Sequence, residues 1–137
     1  MIIVDTSGLL AALFPDQRRH EEAARVLLEM EGPFILSPFV LAELDYLVAK
    51  LAGTEVEMAL LDEVARGAYR LVEFGPGSVA LARKVIGKYP GLDLADASLV
   101  VLAESLGVRD LLTLDERHFR AVRGPGGEPF RLLPADL

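Results

Sequence analysis

The chain has no cysteine, two histidines (His20 and His118) and three lysines (Lys50, Lys84 and Lys88) among 137 residues. Without thiols there are neither disulfides nor thiolate metal sites, so a metal centre would have to use oxygen or imidazole donors. The net charge of −7 argues against broad non-specific attraction to nucleic acid and leaves ordinary acidic solubility or a carboxylate-rich site. Long apolar runs are missing too. Hydrophobic residues make up 52% of the chain, yet no run approaches the roughly 18 residues that would suggest a membrane span. Asp5 breaks the first apolar stretch and no basic segment precedes it, so the chain does not read as starting with a secretory signal. The expectation is a cytoplasmic protein of one domain, with no membrane partner, burying roughly two-thirds of its unfolded surface.

What is present alternates between strand and helix patterns, which favours a parallel sheet with helices on its faces. Ile2–Val4 is apolar on both faces, as a central parallel strand should be. Residues 6–14 predict a short helix stopped near Pro15, and residues 16–32 a helix capped by Asp16 and closed by Gly32. The run "FILS" reads as the second strand. Ser37 and Pro38 cap a helix ending near Gly53, and "TEVE" at 54–57 reads as the capping box of the next. "YRLVEF" is a third strand, followed by helices at about 77–89 and 94–106, the latter closed by Gly107. "DLLTL" and "FRLLP" complete the set.

The acids fall at telling places on this frame. Open parallel sheets bind ligands outside the carboxyl ends of their strands, where Asp5 and Asp115 both lie. Glu43 falls within the apolar stripe Val40, Leu44, Leu47, Val48 and Leu51, and Asp96 shares a face with Leu99, Val100 and Ala103. Plainer readings stay open: Asp5 begins a turn, Asp93 and Asp96 cap a helix, Asp115 caps "ERHF". Glu43 is harder to explain, because a carboxylate on an apolar stripe must be paired, protonated or bound to a cation. Lysine is scarce near these acids, so a divalent ion is the better partner. All-oxygen ligands select hard ions such as Mg²⁺ or Mn²⁺. Neither histidine is spaced from an acid as a zinc site requires.

The stretches "IIVDTSGLLAALF", "LSPFVLAELDYLVAKL", "LDLADASLVVLAESLGV" and "LLTLDERHF", in this order, resemble the acidic motifs of PIN-domain nucleases, in particular the VapC-type toxins of toxin–antitoxin pairs. The resemblance spans nearly the whole chain. It implies an α/β, PIN-like three-layer fold, with a central parallel sheet of order 3-2-1-4-5 flanked by helices. It also implies an endoribonuclease using one or two Mg²⁺ or Mn²⁺ ions. Carried over residue by residue, the catalytic and metal-binding acids are Asp5, Glu43, Asp96 and Asp115, with Asp93 as an extra acid and Ser7 and Thr113 as supporting hydroxyls. A small VapB-like antitoxin and a homodimer are the implied protein partners, and RNA the substrate. Arg117, Arg120 and Arg123 offer a basic rim for RNA phosphates, with Arg18 and Arg19 weaker candidates and a solvated arginine run the plain alternative.

Rival readings fare less well. A phosphate-accepting receiver domain needs paired acids after the first strand and a lysine after the last, and both are missing. A haloacid-dehalogenase-type phosphatase needs a second aspartate where this chain has Ser7. A processing nuclease that is not a toxin, and a non-catalytic module of the same fold, both remain open.

Overall fold

In a computed structural model describing residues 1–137, strand β1 (Ile2–Val4) forms the centre of a five-stranded parallel sheet. Its order is β3-β2-β1-β4-β5, as the resemblance implied, with β2 at Phe34–Leu36, β3 at Arg70–Leu71, β4 at Asp110–Leu112 and β5 at Arg131–Leu133. Ile3 pairs with Ile35 on one side and Leu111 on the other, and Val4 with Leu112. All three β1 side chains are buried. Their burial contributes roughly 5–9 kcal/mol gross, which offsets the cost of holding the next residue, Asp5, out of water.

Seven α-helices cover the sheet: α1 (Thr6–Leu13), α2 (His20–Glu29), α3 (Pro38–Ala52), α4 (Thr54–Ala65), α5 (Pro76–Lys88), α6 (Leu94–Leu106) and α7 (Glu116–Phe119). Several termini follow the local chemistry read from the sequence. Ser37 Oγ accepts from the Phe39 N–H at 3.2 Å, with Pro38 in the first turn of α3. Gly107 closes α6 in the left-handed region. No helix is long and apolar enough to cross a membrane.

Two starts differ from the sequence expectation. Helix α2 begins at His20, with Arg19 at φ 61° as its N-cap, because residues 16–19 are spent turning the chain away from α1. The "TEVE" box does not form: Gly53, at φ 88°, is the cap residue of α4 and Thr54 is already helical. A hydroxyl one position inside the helix cannot reach the donors that a cap serves.

Candidate active site

Helix α1 follows β1 with Asp5 as its N-cap residue, so the carboxylate is fixed by a buried strand behind it and a helix ahead. Asp5 is 6% exposed. Thr113 Oγ1 donates to Asp5 Oδ2 at 2.7 Å, and Ser7 Oγ donates to the same oxygen at 2.9 Å. Each hydroxyl also accepts a backbone N–H, Ser7 from Leu114 at 3.0 Å and Thr113 from Asp115 at 3.0 Å. The two hydroxyl oxygens also lie 3.1 Å apart, so Ser7, Thr113 and Asp5 form one hydrogen-bonded network. Oδ2 is held by two protons while Oδ1 has no side-chain partner, and no cation pairs with the carboxylate. Burial pushes the Asp5 carboxyl above its ordinary range, opposed by the hydrogen bonds from Thr113, Ser7 and the Thr6 backbone, and reinforced by the charge of Asp115.

The pair in "DLAD" forms a reciprocal cap at the start of α6. Asp93 Oδ1 accepts from the Asp96 N–H at 2.8 Å, and Asp96 Oδ2 accepts from the Asp93 N–H at 3.3 Å. Asp93 is exposed and Asp96 half-buried. The Asp96 carboxyl is pushed up to about 7, first by burial, then by the charges of Asp93 and Asp5, against a lowering hydrogen bond from the Asp93 backbone. Asp96 lines the same cavity as Asp5, which follows the end of β1.

Asp115 caps α7 and is more committed than its sequence position suggests. Its Oδ1 accepts from the His118 N–H at 3.0 Å, and its Oδ2 lies 2.7 Å from His118 Nδ1. The hydrogen bond and charge of Asp115 raise the His118 pKa, favouring the protonated ring beside the carboxylate. Sequence reading missed this residue, although an i+3 spacing from an N-cap acid was available as a signal. His20 lies elsewhere, its Nδ1 2.7 Å from the Ala11 carbonyl.

Glu43 requires a correction. It is exposed, not on the buried face of α3, which consists of Val40, Leu44 and Val48, and Leu51 is exposed as well. Position 43 borders the stripe and projects at the mouth of the site, so the inference from a forced burial does not hold. Its place does: Asp5, Glu43, Asp93, Asp96, Asp115 and His118 all line one cavity of about 400 Å³. The acids ring this cavity rather than forming a closed cage. No three His, Asp or Glu side chains converge closely enough to hold an ion as placed.

The cavity's chemistry nevertheless fits a hard cation. Its donors are almost all oxygen, Asp5 is a buried carboxylate lacking a cation, and Thr6 Oγ1, also in the lining, is buried with no hydrogen-bond partner. Asp5 and Asp96 each keep one oxygen without a side-chain partner and Glu43 is unpaired, so these three could hold such an ion directly, whereas both oxygens of Asp115 are engaged by His118.

The arginines sort differently from expectation. Arg120 is bound to Glu116 at 2.8 Å and to Asp136 at 2.7 Å, which commits its guanidinium. Arg19 pairs with Glu22 at 2.8 Å. Arg117 and Arg123 are exposed without ion pairs. Arg18, exposed, shares a hollow with Ser7 and Asp115 and so lies beside the cavity.

Comparison with known proteins agrees with this architecture. The PIN domain family model matches residues 2–125. The chain is 39% identical over 135 residues to Ribonuclease VapC26 of Mycobacterium tuberculosis, covering 97% of this chain and 100% of that protein. Among solved structures it is similar in fold to Mycobacterium tuberculosis VapC20, described as a sarcin–ricin loop cleaving toxin, with 20% identity, 88% and 95% of the two chains covered and a TM-score of 0.80. A toxin–antitoxin complex from Klebsiella pneumoniae (20% identity, 89% and 92% covered, TM-score 0.69) shares the fold. So does VapBC2 of Rickettsia felis bound to a fragment of promoter DNA (17% identity, 96% and 98% covered, TM-score 0.66).

Proposed function

Since the chain belongs to the PIN domain family and is a homologue of VapC ribonucleases, we propose that its acid-lined cavity hydrolyses RNA phosphodiesters with Mg²⁺ or Mn²⁺, and that the protein is the toxin of a toxin–antitoxin pair. The observation that carries the reading is Asp5: a buried carboxylate with one oxygen held by two hydroxyls, the other without a side-chain partner, and no cation beside it.

A divalent ion held by Asp5, Asp96 and Glu43 would supply Lewis-acid polarisation of the phosphoryl group, activation of water and charge compensation for the leaving oxygen. The side chains prepare for it. Asp5 presents Oδ1, with Ser7 and Thr113 fixing the carboxylate's rotation. Asp96 presents a second carboxylate from the first turn of α6, and Glu43 a third from the mouth. Asp115 and His118 hold a proton between Oδ2 and Nδ1 at the cavity wall, orienting water without needing to bind the ion. Arg18, beside Ser7 and Asp115, is the better placed arginine for a substrate phosphate, and Arg120 is withdrawn from that role.

An antitoxin also has a place to rest. Leu13, Phe14, Val48, Val56, Leu60 and Tyr69 line an apolar hollow of about 210 Å³ between α1, α3 and α4. A partner with apolar side chains would bury it, and a homodimer would cover further exposed apolar residues such as Met58 and Leu61.

Purified protein should cleave labelled structured RNA, lose this activity in chelator and regain it with Mg²⁺ or Mn²⁺, while its expression alone arrests growth. Cleavage that persists in chelator would sink the metal reading; harmless expression of an active protein would point to a processing nuclease.

The hydroxyls give a finer test. Thr113→Val removes one of two donors to Asp5 and an acceptor for the Asp115 N–H. Cleavage should fall about 10–100-fold with a raised metal requirement, at a stability cost of about 1–2 kcal/mol. Thr113→Ser should retain most of the rate. Identical Mn²⁺ titrations for Thr113→Val and wild type would show that the hydroxyl does not orient Asp5.

A further inference from the structure

A second cavity, of about 440 Å³, opens between α5, α6 and the loop at 123–127. Lys84, Lys88 and Arg123 line it; all three are exposed and none makes an ion pair. In a chain of net charge −7, three uncommitted cations around one opening stand out, and only Glu104 opposes them there. Tyr89 closes one side: the Lys88 Nζ lies 5.3 Å from its ring centroid, and its hydroxyl accepts from the Arg123 N–H at 3.4 Å. The floor is apolar, formed by Val85, Val100 and Val101.

The two cavities share no lining residue, but both border α6, the acid cleft at Asp96 and the second cavity at Val100, Val101 and Glu104. Asp96, Val100 and Glu104 recur every four residues on one stripe of the helix, so the floor begins about 6 Å, one helical turn, beyond Asp96. Through the connecting loop, Tyr89 is four residues from Asp93, which limits their Cα atoms to about 14 Å apart. A strand whose scissile phosphate sits at the acids would pass over the cations within a few nucleotides.

Building on the ribonuclease reading, we propose that this cavity docks the single-stranded RNA flanking the scissile phosphate, its backbone held by Lys84, Lys88 and Arg123 and a base resting on the apolar floor beside Tyr89. The acid cleft repels a polyanion until a cation is bound. Affinity must therefore come from elsewhere on the surface, and release of counterions from phosphates at a cluster of cations supplies it. An apolar floor with an aromatic edge suits a base and does nothing for a free phosphate.

The test compares Lys84→Ala/Lys88→Ala/Arg123→Ala with a charge-matched control, Arg25→Ala/Lys50→Ala/Arg70→Ala, whose side chains lie outside both cavities. Two readouts apply: steady-state cleavage of a labelled single-stranded RNA, and anisotropy binding of the same RNA in chelator across a salt series. The cavity variant should raise KM about tenfold or more with kcat within about twofold, and lower the salt slope of log Kd by about two, at roughly 0.7 per lost contact. The control should stay near wild type in both readouts. Equal behaviour of the two variants would overturn the proposal. So would polyglutamate binding to the wild type as tightly as RNA of equal charge and releasing in the cavity variant, which would assign the cavity to an acidic protein segment. Absence of cleavage by the wild type would instead sink the ribonuclease reading, and chelator-resistant RNA binding lost only in the cavity variant would still support docking.

Discussion

Asp96→Asn should reduce cleavage by roughly 10³-fold or more while making the metal-free protein more stable at pH 8. The first effect follows from removing a carboxylate that faces Asp5 across the cavity in the first turn of α6, where charge must be matched to the reacting phosphate. The second follows from linkage. The Asp96 carboxyl is pushed up to about 7 from an ordinary 3.8, so the folded protein binds this proton more tightly than the unfolded chain does. Whatever stability the group confers is fully present below the ordinary value and is lost as pH rises through 7. Above that pH the wild type holds an unfavourable carboxylate that asparagine avoids. Asparagine also keeps an oxygen for the Asp93 N–H, so the helix start survives.

Asp96 is half-buried, so solvent screening cuts the full conversion of its shift to about 1–2 kcal/mol. Melts at pH 8 in chelator should then rise by about 3–8 °C in the variant, and the gain should vanish at pH 4. Added Mn²⁺ should stabilise the wild type more than Asp96→Asn. Asp93→Asn behaves differently: asparagine caps nearly as well as aspartate, the residue is exposed, and activity should stay within about tenfold at saturating Mn²⁺ with a higher metal requirement. If Asp93→Asn is dead and Asp96→Asn active across a Mn²⁺ titration, the roles are reversed; if Asp96→Asn melts below wild type at pH 8, the apo site is not strained.

How much of this could be read from the chain depends on the range of the interaction. The strand Ile2–Val4, the caps at Ser37 and Asp93 and the closing Gly107 each rest on neighbours within four residues, and each lies where the sequence places it. Sheet order and the ring of acids came from the resemblance, because parallel pairing joins residues far apart: Ile3 meets Leu111. Glu43 marks the limit of periodicity, which places a residue at the border of a stripe without saying whether the border lies inside the core or at its mouth. Arg120 marks another limit. Its partner Asp136 is 16 residues away in the C-terminal turn, and nothing local reveals that its charge is already taken. The unpartnered Thr6 hydroxyl is visible only once the cavity is formed.

Gly8→Ala should be among the most damaging single substitutions outside the acids, although alanine is the better helix former. On intrinsic propensity the change gains about 1 kcal/mol in α1. A Cβ at position 8, however, would lie 2.4 Å from the Leu112 carbonyl oxygen and 2.6 Å from its carbon. These are backbone atoms of β4 that cannot rotate aside, and the same oxygen accepts the Asp5 N–H at 2.9 Å. Relief requires α1 or β4 to move, costing about 1–3 kcal/mol or more as overpacking does. That exceeds the propensity gain, and the motion displaces Asp5 and Ser7 on one side from Thr113 on the other. Gly87→Ala, in α5 with nothing within 4 Å of the added carbon, supplies the contrast and should leave stability unchanged or raise it by up to about 1 kcal/mol. Melting and RNA cleavage measured on both variants should therefore diverge: Gly8→Ala with a lowered melting temperature and cleavage down by about 10²-fold, as misplacement of about 1 Å at a reacting centre produces; Gly87→Ala at wild-type rate. A Gly8→Ala protein that melts at or above wild type with full activity would show that α1 does not press against β4 as described.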